Sequence, residues 1–80
     1  MSQNIFDQEL GTILANYRRD LGISQEFLSS SLRRDQTFVS KVETGKRSVT
    51  LLEFIRWCKA LNLNDQTILE TLKNLQSHVE

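Results

Sequence analysis

The segment Ser24–Arg47, SQEFLSSSLRRDQTFVSKVETGKR, constrains the fold of this chain more than any other stretch. Ser24 is a capping residue set ahead of the apolar positions Leu28 and Leu32. Arg33-Arg34 gives way to a second capping residue, Asp35, which precedes Gln36–Glu43 and the closing Gly45. Two short helices separated by about three residues form a helix-turn-helix unit. The second helix of such a unit is shaped to enter a DNA major groove.

The flanking sequence continues the helical pattern. A first helix is expected from about Ile5 to Leu21, capped by Asn4 or Ser2 and stopped by Gly22. Leu10, Ile13, Leu14, Tyr17 and Leu21 share one of its faces. Thr50-Leu51-Leu52-Glu53 reads as a capping box opening a fourth helix to about Leu61. Its inner face would hold Leu51, Phe54, Ile55, Cys58 and Leu61, with Trp57 at the margin. Asn64 caps a fifth helix over about 65–79. With no proline and three glycines in eighty residues, the expected class is all-α, one domain spanning 1–80.

Composition excludes several functions. One cysteine rules out an internal disulfide and suits a cytoplasmic setting. MSQNIFDQEL has no basic-then-apolar leader, and no apolar run nears the roughly 18 residues that cross a membrane. His78 and Cys58 stand alone, with no metal-ligand spacing and no phosphate-cradling glycine loop. No catalytic residue, cofactor, metal or small-molecule ligand is therefore expected. Net charge is zero, yet Arg33, Arg34, Lys41, Lys46 and Arg47 crowd the stretch Arg33–Arg47 against only Asp35 and Glu43. A local basic patch on a neutral protein suffices for phosphate contacts.

Helical geometry assigns roles within the third helix. With Val39 and Val42 inward, Thr37, Ser40, Lys41 and Thr44 turn outward, and Gln36 lies at the N-terminal end. A glutamine amide matches the N6/N7 edge of adenine, and Lys41 can reach guanine or a phosphate. Gln36, Thr37, Ser40 and Lys41 are thus the candidate base contacts on double-stranded DNA. Arg33, Arg34, Thr44, Lys46 and Arg47 are the candidate phosphate contacts. Gln25 lies in the first turn of its helix, which favours an anion. Phe38 is expected to pack at the corner between the second and third helices, with contact to a thymine methyl as the second option.

These residues resemble the phage-repressor-like regulators of the Xre or Cro type. Ser24-Gln25-Glu26, Leu28, Leu32, Val39, Ser40, Val42, Glu43 and Gly45 stand at that family's spacing without a gap, and the likeness covers roughly Leu10 to Leu63. The resemblance implies a five-helix, lambda-repressor-like domain that binds a roughly palindromic operator as a homodimer. It also implies that Gln25 meets a phosphate, a role compatible with that of a capping-turn glutamine. Three positions depart from the family pattern: Arg33 at the usual glycine, Arg34 at a small apolar turn residue, and Ser29 at the usual alanine. Arg18 and Glu43 flank the apolar stripes of their helices, and an ion pair between them is expected both from that placement and from the resemblance.

Ile68, Leu72, Leu75 and Val79 form a narrow stripe spaced by about 3.5 residues, like a coiled-coil seam. Together with Leu52 on the far side of the fourth helix, this stripe is the expected homodimer interface. Leu69 lies beside it, with docking on the fourth helix as its alternative use. Covering the domain's own core is the competing use of the stripe. The leading expectation is a sequence-specific transcriptional regulator that occupies an operator, as a repressor. Narrower variants are an autoregulator from a mobile element, a restriction system or a toxin–antitoxin pair. The alternative is a protein-interaction module or antitoxin-like partner that retains the fold. The polar, basic outward face of the third helix speaks against it.

Overall fold

Helix starts are set by local chemistry, and the computed structural model, which describes residues 2–79, shows it. The helices are α1 (Ser2–Asp20), α2 (Gln25–Leu32), α3 (Gln36–Glu43), α4 (Leu51–Ala60) and α5 (Asp65–Gln76). Ser24, Asp35 and Asn64 each accept the backbone N–H three residues on, at 3.0, 2.9 and 2.8 Å. Thr50 and Glu53 close a reciprocal capping box at α4. At α1 the expected cap at Ser2 or Asn4 rests on side chains outside the described residues. The helix itself begins at Ser2, so Asn4 lies within it.

The first four helices all stop in the same way. Gly22, Arg33, Gly45 and Asn62 adopt left-handed backbone, with φ of 71°, 57°, 76° and 56°. After each, the next amide reaches back five residues, as in Ile23 N–H to Arg18 C=O (3.1 Å) and Arg34 N–H to Ser29 C=O (3.0 Å). Only two of the four are glycine. The stop at Asn62 is absent from the sequence reading.

Around the helix-turn-helix, α1 packs on α3 and α5, and α2 packs on α3 and α4. The core joins Leu10, Leu14, Leu28, Phe38, Val39, Val42, Phe54, Trp57, Cys58, Leu61 and Leu75. Gly11 permits the closest approach: a Cβ there would lie 2.2 Å from the Val42 carbonyl oxygen, so α1 rides directly on the end of α3. Ser29, also buried, fits against α3 because its hydroxyl turns back to the Glu26 carbonyl at 2.8 Å.

Four residues of α1 and α4 and the turns beside them lie differently from the sequence reading. Trp57 is fully buried, whereas Leu51 (74% exposed) and Ile55 (45%) face outward. The buried stripe of α4 is Phe54, Trp57, Cys58 and Leu61, and the large indole, packed at a 50° tilt with its centroid 5.7 Å from that of the Phe38 ring, sets the helix's rotation. The Trp57 indole N–H has no hydrogen-bond partner among the described residues. Leu21 is exposed because the chain reverses there, and Ile23 packs against the core in its place.

On α5 the expected seam divides. Leu75 is buried and Ile68 packs against the core, while Leu69, Leu72 and Val79 are exposed. Leu75 therefore belongs to the protomer's own interior, and Leu69 does not dock on α4. Thr71 is buried too, its hydroxyl shared between Tyr17 Oη (2.8 Å) and the Thr67 carbonyl (2.9 Å). The helix ends at Gln76, short of Val79.

Candidate nucleic-acid interface

The burial of Val39 and Val42 fixes which way α3 faces. Gln36, Thr37, Lys41 and Thr44 are exposed on its outer side, and Ser40 is half-buried. Asp35 caps the helix and closes the turn, so its first residue, Gln36, stands at an open N-terminal end.

Behind this edge lies a polar relay. Arg18 Nε donates to Glu43 Oε2 at 2.7 Å and Nη2 to Oε1 at 3.1 Å, with both side chains nearly shut off from solvent. The same guanidinium donates to the Ile23 carbonyl (2.7 Å), tying the end of α1 to α3. Gln25 Nε2 donates to Glu43 Oε1 at 2.8 Å, which leaves its Oε1 to accept from Gln36 Nε2 at 3.5 Å. The buried carboxylate thus orients Gln25, and Gln25 steadies Gln36 at the exposed end. Gln25 was read from the sequence as a phosphate contact in a capping turn; its inward tie to Glu43 is an added role.

A second cluster sits beside the turn. Arg34 Nη1 reaches Glu53 Oε2 at 3.0 Å, and Arg47 Nη1 and Nη2 reach the two Glu53 oxygens at 3.0 and 3.2 Å. Both guanidiniums lie over the Phe38 ring, 3.7 and 4.7 Å from its centroid. Phe38 packs on Trp57 of α4 and so reaches beyond the α2–α3 corner. The hydrogen bond from Arg47, that from the Thr50 amide and the nearby Arg34 hold the Glu53 carboxyl down to about 2, against the modest opposing effect of burial.

The remaining candidates are less uniform. Arg33, Lys41 and Lys46 are exposed and make no ion pair among the described residues. The Thr44 hydroxyl donates to the Ser40 carbonyl at 2.8 Å. Sequence reasoning missed Glu53 as an anchor, having seen only its capping role. It also missed Arg56 and Lys59, which line a hollow with Arg33 and Arg34. Their spacing on α4, three apart beside the basic turn, was the available signal. Among the described residues no group of three His, Cys, Asp or Glu side chains is placed to hold a metal ion. No described helix is long and apolar enough to cross a membrane.

Comparison with known proteins places this geometry in context. The profile of the helix-turn-helix family matches residues 14–68. The restriction-modification controller protein C.AhdI from Aeromonas hydrophila is 30% identical, covering 74% of this chain and 89% of that one, with a TM-score of 0.69. The controller protein C.Esp1396I, crystallised as a tetramer with its natural 35 base-pair operator, is 22% identical over 89% of this chain and 95% of its own, at a TM-score of 0.77. The clp gene regulator ClgR from C. glutamicum also superposes at 0.77, with 23% identity over 86% and 88% of the two chains. A search of curated protein sequences finds no match.

Proposed function

The chain belongs to the Xre-like helix-turn-helix family, and from that footing we propose that it is a sequence-specific DNA-binding transcriptional regulator. It inserts α3 into the major groove of a roughly palindromic operator as a homodimer and represses by occupying that site. It works in the cytoplasm and catalyses no reaction. The observation that carries the reading is the exposed row Gln36, Thr37 and Lys41, with Gln36 steadied through Gln25 by the buried Glu43. A relative that binds an operator with the same fold supports it.

Gln36, Thr37, Ser40 and Lys41 read base edges, Gln36 by pairing its amide with adenine. Arg33, Arg34, Lys46 and Arg47, with the α2 start at Gln25, hold phosphates. The exposed Leu52, Leu72 and Val79 are the dimer contacts, with Leu51 added from the structure.

Selection of bound duplexes from a random DNA pool tests the reading. The expected product is a two-fold symmetric consensus. Gln36→Ala then costs about 1–3 kcal/mol on that site and relaxes preference at one position. Failure to enrich any sequence, or full affinity in both Gln36→Ala and Lys41→Ala, overturns it.

A further inference from the structure

Arg34 comes from the α2–α3 turn and Arg47 from the loop after α3, yet they share one anchor. The Glu53 carboxylate accepts from Arg34 Nη1, from Arg47 Nη1 and Nη2, and from the Thr50 amide at 2.9 Å. A carboxylate offers about four acceptor sites, so this one is fully used. The arginines are not: each guanidinium carries five N–H donors, and their side chains remain 41% and 37% exposed. Phe38 beneath them fixes their height. Two cations and one anion leave the cluster with a single positive charge.

We propose that Glu53 is a specificity-determining residue for DNA binding: it holds Arg34 and Arg47 as a rigid pair of phosphate donors beside the start of α3 and cancels one of their charges. This inference rests on the DNA-binding reading above. Attraction to arbitrary DNA follows the count of cations free to meet phosphates. Glu53 lowers that count, so indiscriminate binding is weakened. In the correct register both side chains are already held by Glu53 and remain partly exposed, so neither has to be ordered on contact. Glu53 thus widens the gap between the right duplex and any other, as a positioning residue that need not touch DNA itself.

Glu53→Gln is the informative variant, because glutamine at this helix position still closes the capping box. Thr50→Ala is its control: it removes the Thr50 side-chain cap and leaves the carboxylate for both arginines. Affinities are measured for the selected operator and for a random-sequence duplex across a salt series, alongside thermal melts. For Glu53→Gln, random-duplex binding should tighten about 3-fold or more, with a salt slope steeper by about one. The operator-to-random ratio should fall about 10-fold. Thr50→Ala should keep the wild-type ratio and slope. A ratio within twofold of wild type in Glu53→Gln, an equal fall in Thr50→Ala, or parallel losses on both duplexes overturns the proposal. If the wild type prefers no duplex, the DNA reading of the preceding section fails instead, and the slope on random DNA alone then judges Glu53.

Discussion

Glu43 serves two masters, a buried arginine on one side and a surface glutamine on the other. Its removal strands a guanidinium in the interior, and an uncompensated buried charge is far costlier than the pair is favourable. Glu43→Ala should therefore lower stability by about 2–4 kcal/mol, read from chemical denaturation. Stability within about 0.5 kcal/mol of wild type, as for a surface change, would contradict this. At this scale the sequence was legible where a charge stood at the margin of an apolar stripe, as Arg18 and Glu43 do. It was illegible where partners converge from distant segments. Nothing local ties Arg34 to Arg47, and only the approach of α4 to the turn makes Glu53 their common acceptor.

Helix boundaries were readable because capping is a local transaction between a side chain and an amide three residues away. Ser24, Asp35, Thr50 and Asn64 needed no knowledge of the rest of the molecule. The rotation of α4 did need it. Its sequence offers apolar residues nearly all round, and the contact of Trp57 with Phe38 decides which of them go inside. The α2–α3 turn carries a departure visible in both sequence and backbone: Arg33 holds a left-handed conformation at φ 57° where glycine is at ease. Arg33→Gly should relieve that strain and stabilise by about 0.5–1 kcal/mol, net of the greater freedom of the unfolded glycine. In a domain of this size that raises the melting temperature by a few degrees, roughly 2–8 °C. The same variant loses a cation, so its salt slope on DNA should flatten. A lower melting temperature would show that the arginine side chain contributes more than its backbone costs.

One protomer measures 34 × 27 × 22 Å, while successive major grooves on one side of DNA recur about every 34 Å. A single copy presents one α3, so two reading helices at that spacing require a partner. Leu51, Leu52 and Leu72 are exposed, and Leu51 and Leu72 border an apolar hollow of about 160 Å³ floored by Leu10, Phe54 and Leu75. Leu52→Asp with Leu72→Asp should yield a folded monomer with much weaker operator binding, seen by sedimentation and titration. A wild-type protein monomeric at tens of micromolar and tight on one half-site would remove the dimer. Truncation after Asn64 would be uninformative, because it takes Thr71 and Leu75 out of the core. The α5 stripe misled the sequence reading for that reason: one helix face serves both interior and exterior, and spacing alone does not apportion them. The molecule as a whole also separates what can drift from what cannot. Gln36, Thr37 and Lys41 are exposed and Gln36 is hydrogen-bonded to Gln25, so on the proposed reading target preference should be rewritable by point changes there with melting behaviour intact. Arg18, Glu43 and Gln25 have no such freedom, since the bonds that aim the reading edge also close the interior. Descendants of this chain can diverge rapidly in what they recognise while being held to one way of presenting it.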